Sequence, residues 1–106
     1  MAKIVRGSGN VFADLGYAHA DERQTKVRLA VATNRIVERR GLSQMRTAAL
    51  LGIGQPKVSA LANYRLGGFS VERLMTFPTA LDRDVSIVIK KKPRSRPAGR
   101  ISVVAA

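Results

Sequence analysis

The stretch Gln44–Asn63, QMRTAALLGIGQPKVSALAN, constrains the fold of this 106-residue chain more tightly than any other. Ala48 and Ala49 keep a first helix slim, and Leu50 and Leu51 supply its apolar side. Gly52 falls where that helix must end in a left-handed residue, a conformation glycine adopts without steric cost. Ile53 plugs the turn, and Gln55 opens a second helix whose inward face is Val58 and Leu61, three apart. Lys57, Ser59 and Asn63 face the other way. The pattern predicts two short helices joined by a tight turn, with a bracing helix and a second that offers small polar side chains.

Charge narrows the partner. The formal net charge is +12, from 19 Lys+Arg against 7 Asp+Glu, which favours a polyanion: nucleic acid or an anionic membrane surface. The apolar runs Val85–Ile89 and Val103–Ala106 are far too short to span a bilayer. No long amphipathic helix is bordered by the basic residues, so a membrane role is weak. There is no cysteine, hence no disulfide framework or thiolate metal site. His19 is the one histidine, set in a polar segment where solvation is the expected state, and no base stands ready to activate Ser59. The expectation is a non-enzyme without metal or cofactor. Met1–Arg6 lacks the apolar core of a secretory signal, so a cytoplasmic location is expected.

Taken in order, residues 1–20 read as a basic lead-in and a short turn capped by Asn10, with Val11, Phe12 and Leu15 on one side. That turn either tucks Phe12 against the core or docks another protein. A helical domain over residues 21–83 follows. Its long first helix starts at Asp21, which forms a capping box with Gln24. Val27, Ala30, Val31, Asn34 and Val37 share a face, widened by Leu29 and Ile36. Arg35, Arg39 and Arg40 complement the dipole near Gly41 or meet phosphate. Ser43 caps the first motif helix, and Ser70 caps a fourth helix, VERLMTF, onto which Phe69 can staple through Leu74. Pro78 predicts a kink or stop near Phe77.

From Asp84 the period changes: Val85, Ile87 and Ile89 alternate with Ser86, Val88 and Lys90, which predicts a strand over residues 84–90. Its partner is open among the same strand of a second copy, the Ile101–Val104 segment folded back, and another protein's sheet. Residues 91–106 read as a mobile basic tail. The run Lys90–Arg100 is either a solvated linker or a nonspecific DNA arm.

With Gln44 as the first motif position, Ala48 is fifth, Gly52 ninth, and Leu51, Ile53, Val58 and Leu61 fill places eight, ten, fifteen and eighteen. This spacing resembles the XRE/Cro-type helix-turn-helix family over roughly Glu22 to Leu81. The resemblance implies a DNA-binding set of Ser43, Gln44, Gln55, Pro56, Lys57, Ser59, Ala60, Asn63 and Arg65. In that family Gln44 would hold a phosphate and brace Gln55, and Gln55 could clasp an adenine. Lys57 would reach phosphate or guanine, Ser59 and Asn63 would line the outward face, Ala60 would meet a thymine methyl, and Arg65 would take a phosphate. Pro56 is tolerated in the first turn. Gly54 departs from the usual Ser/Thr cap, Thr47 from an apolar or alanine position, and Arg46 opposes the helix dipole. The departures imply a motif weakened in its local chemistry.

Across the chain, NVFADLGY, GLSQ, AALLGIGQPKVSAL, FSVERLM and DVSIVIK together resemble the HigA-like antitoxins of type II toxin–antitoxin modules. Pro78 and Asp82 depart from that group's usual helix and glycine ending. This likeness implies a homodimeric repressor of its own operon that binds an inverted-repeat, double-stranded DNA operator and a RelE/HigB-like, mRNA-cleaving toxin. The alternative is a stand-alone, phage-type repressor. The fold expected is mainly α: an XRE-type helical bundle with a C-terminal β-strand that dimerises through Val85, Ile87 and Ile89.

Overall fold

A computed structural model describes residues 19–105, which hold four helices: α1 (His19–Arg39), α2 (Gln44–Leu51), α3 (Gln55–Ala62) and α4 (Val71–Ala80). The turn expected around Val11–Leu15 lies outside the described residues, as does the side chain of His19. The described part of α1 already includes His19 and Ala20, ahead of the expected start at Asp21. Asp21 and Glu22 sit in its first turn, where carboxylates suit the positive end of the helix, and Glu22 also pairs with Lys26 at 3.7 Å.

The inward face of α1 is rotated from the one its aliphatic residues suggest. Thr25, Leu29, Ala30, Thr33 and Ile36 are buried, whereas Val27 is exposed. Threonine makes this possible: Thr33 is fully buried because its hydroxyl donates to the Leu29 carbonyl at 3.0 Å, leaving no orphan polar atom. α1 packs most extensively against α4, and α2 against α3. Leu61, Leu74, Phe77 and Leu81 are at most 1% exposed and form the centre. Phe69 meets Phe77 edge-on at 5.7 Å and shares the core with Leu74, as a staple before Ser70 requires. Ser70 does cap α4, its hydroxyl accepting from the Arg73 amide at 3.0 Å.

Pro78 does not stop α4 near Phe77. The helix runs on to Ala80 and then closes in a Schellman turn: the Arg83 amide donates to the Pro78 carbonyl at 3.0 Å and the Asp82 amide to that of Thr79 at 3.3 Å. The proline withdraws the amide that would bond the Leu74 carbonyl and crowds that carbonyl, but its ring is buried in the core and the helix continues through it. Asp82, not glycine, takes the left-handed position at φ 65°. Arg40 reaches it, with Nη1 3.4 Å from the Leu81 carbonyl and 3.8 Å from the Asp82 carboxylate.

No strand forms among the described residues, so the β-strand expected over residues 84–90 is not part of this fold. Val85, Ile87 and Ile89 are 38%, 58% and 66% exposed. The physical reason is the missing ladder partner. Ile101 and Val103, the one intrachain candidate, pack instead against the helical core, and Arg28 Nη1 donates to the Val103 carbonyl at 3.2 Å. The tail thus returns to α1 as a strap. Its basic run turns at Pro93, with the Arg96 amide donating to the Pro93 carbonyl at 3.2 Å and Lys92 Nζ to the Arg96 carbonyl at 2.9 Å.

Candidate nucleic-acid interface

α2 and α3 form the turn that the glycine predicts. Ser43 accepts a hydrogen bond from the Arg46 amide at 3.0 Å, and Gly52 closes α2 at φ 68° with its amide and that of Ile53 both directed at the Ala48 carbonyl. Thr47 is no weakness. It is 2% exposed, and its hydroxyl donates to the Ser43 carbonyl at 2.8 Å, so the cap residue is held from both sides. Gly54 gives α3 no side-chain cap, as its composition requires. Its carbonyl accepts from Lys57 and Val58 while Pro56 sits harmlessly in the first turn.

Val58 and Leu61 bury one side of α3. Gln55, Pro56, Lys57, Asn63 and Arg65 are exposed, as are Ser43 and Gln44 at the start of α2. Ser59 is half-buried, and Ala60 leans on the core, so its methyl is less available to a base than expected. Gln44 and Gln55 are both open to solvent. The hydrogen bonds of the described residues do not join their amides.

Two of the expected DNA contacts are already engaged within the chain. Asn63 Nδ2 donates to the Ser59 carbonyl at 2.9 Å. Lys57 Nζ donates to the Gly68 carbonyl at 2.8 Å and stands 4.8 Å from the centroid of the Phe69 ring, a cation–π distance. Lys57 therefore latches the loop after α3 rather than pointing freely outward. A glycine at 68 suits this latch, because a Cβ there would meet Nζ at 3.2 Å.

Three supporting residues were not assigned roles from sequence. Asn34 Nδ2 donates to the Leu61 carbonyl at 3.1 Å, tying α1 to the end of α3. Its polar amide on an otherwise apolar face was the available signal. Arg73 Nη2 lies 3.4 Å from the Gly52 carbonyl and its guanidinium 5.5 Å from the Phe77 centroid, bracing the turn from α4. Tyr64, at φ 58°, closes α3 in the left-handed region, which costs a non-glycine residue about 1–2 kcal/mol. No periodicity announces that strain.

Electrostatics favour an anion here. From Arg39 to Val71 the chain carries no Asp or Glu, and neither motif helix has an acidic first turn. Helix N-termini free of carboxylates suit phosphate. Among the described residues there is no cluster of metal-binding side chains, and no helix is long and apolar enough to cross a membrane.

With this geometry established, comparison with known proteins gives the class: a helix-turn-helix domain is matched over residues 11–90. A solved structure named "Putative XRE Family Transcriptional Regulator" is 68% identical, superposes with a TM-score of 0.80, and corresponds to 84% of this chain and 100% of its own. No curated protein sequence matches. The chain belongs to the XRE-type helix-turn-helix family, which is non-enzymatic.

The latch makes a direct prediction. Lys57→Met keeps the aliphatic stem over Phe69 but removes the donor, and should lower unfolding stability by roughly 0.5–1 kcal/mol while speeding amide exchange in residues 66–69. Unchanged stability and exchange, measured by denaturant titration and mass spectrometry, would show that the latch has no structural effect.

Proposed function

We propose that this protein is a sequence-specific DNA-binding transcriptional regulator whose α3 enters the major groove. The observation that carries the reading is the edge running from Gln55 to Arg65, exposed along its polar side and mounted on the buried pair Val58 and Leu61 within an acid-free segment. Gln44 and Arg65 position the helix on phosphates, and Gln55 and Ser59 read base edges. Lys57, held on the Gly68 carbonyl, and Asn63, held on the Ser59 carbonyl, shape this edge from within the chain. The test starts from duplexes selected by the protein out of a random pool. On such an operator Gln55→Ala should lose about 1–3 kcal/mol and relax specificity at one base pair. Equal weakening on random DNA would remove the base-reading role.

The finer reading is a homodimer acting in the cytoplasm on an inverted repeat, with half-sites about 34 Å apart. Support comes from segment 84–90, whose Val85, Ile87 and Ile89 are exposed and whose backbone lacks a ladder in the single chain. Ile87→Lys should give monomers by light scattering and strongly reduced operator affinity. A variant that stays dimeric places the interface elsewhere.

Antitoxin activity toward a RelE/HigB-like toxin is the most specific form of this proposal. The net charge of +12 supports its DNA-binding half, whereas the toxin half rests on sequence likeness, from NVFADLGY through DVSIVIK. Co-expression with the product of the adjacent reading frame decides it. A tight complex with a small ribonuclease-like protein supports the antitoxin, and none supports a stand-alone repressor.

A further inference from the structure

Three of the four helices close on residues suited to the left-handed region: Gly41 at φ 61°, Gly52 at φ 68° and Asp82 at φ 65°. The recognition helix closes on Tyr64 at φ 58°. A bulky aromatic residue there is a genuine conformational outlier. The turn itself does not need the ring. Its bonds run from the Arg65 amide to the Ala60 carbonyl at 2.8 Å and from the Tyr64 amide to that of Leu61 at 3.2 Å, and a glycine would make both.

Nor does the core depend on the phenol, since Tyr64 is 45% exposed while Leu66 and Phe69 beside it are 8% and 4% exposed. Those two anchors, with the Lys57 latch on Gly68, hold the corner rigid. Tyr64 and Arg65 are thereby presented at the end of α3, inside the acid-free segment. Strain kept at an exposed, firmly held position, where a cheaper residue would fold equally well, marks function rather than stability. The neighbouring polar groups of Asn63 and Lys57 already have internal partners, and the tyrosine hydroxyl takes no part in the bonds of the turn.

We propose that Tyr64 is a DNA-contacting residue whose phenolic hydroxyl donates to a backbone phosphate flanking the bases read by α3. This assignment rests on the reading of α3 as the recognition helix. A neutral donor adds affinity without counterion release, and a phosphate contact carries no sequence information of its own.

The test uses the full chain with Tyr64→Gly and Tyr64→Phe, measuring Tm together with binding to a duplex selected from random DNA and to an unselected duplex. Tyr64→Gly should raise Tm by several degrees and yet weaken binding about five- to thirtyfold, the scale of one lost hydrogen bond. Tyr64→Phe should leave Tm near that of the wild type, weaken both duplexes by the same factor, and leave the salt slope unchanged. The proposal is overturned if Tyr64→Gly binds as tightly as wild type, or if it lowers Tm and so shows the ring to be structural. Full affinity in Tyr64→Phe overturns the hydroxyl-to-phosphate contact. If the wild type itself selects no duplex, the DNA-reading assignment of α3 falls with it; if wild type binds and Gln55→Ala is impaired while both Tyr64 variants are not, only the Tyr64 assignment falls.

Discussion

Packing of α1 against α4 is the interaction on which the rest of the structure depends. Helices of eight residues, the length of α2 and α3, are marginal in water by themselves, because nucleation fixes several dihedrals for each bond gained. They acquire a fixed angle only by burying Leu51, Val58 and Leu61 against a surface that already exists. α1 and α4 supply that surface through Leu29, Leu74, Phe77 and Leu81, and add polar ties. Asn34 reaches across to the end of α3, and Arg73 reaches back to the α2–α3 turn. The motif is therefore steered from outside its own sequence, as its short helices demand.

Much of this was legible in the residues. Gly52 announces a left-handed helix end, Ser43 and Ser70 announce caps, and the spacing of Leu51, Val58 and Leu61 announces which sides turn inward. What escaped has identifiable causes. Thr33 and Thr47 count as polar in any periodicity, yet a hydroxyl bonded to the carbonyl four residues earlier lets them lie in the core. The inward face of α1 was misplaced for that reason. Pro78 does not stop the helix because its ring is buried with Leu74 and Phe77, packing that local breaker chemistry does not report. The family resemblance sends Lys57 outward to phosphate or guanine. Its engagement with Gly68 lies eleven residues away in sequence and is set by how the loop folds.

The strand is a different kind of miss. Alternation in residues 84–90 reports that a segment can pair, whereas pairing itself requires a second edge. In the isolated chain the alternating pattern at Ile101 and Val103 is used against α1 instead. The two apolar segments of the C-terminal region therefore have different fates. One lies against the helices, and the other presents its side chains to solvent.

The return of the tail to α1 also sets an order in time. The Arg28–Val103 bond joins residues 75 apart, farther than the ties that hold the helices to one another. The ties among the helices, Asn34 to Leu61, Arg40 to Leu81 and Arg73 to Gly52, close over 27, 41 and 21 residues. Closure over so long a separation has the largest entropy to overcome and comes late. The helical domain must consequently form by itself, and the strap is laid onto the Arg28–Arg35 flank of a surface that already exists.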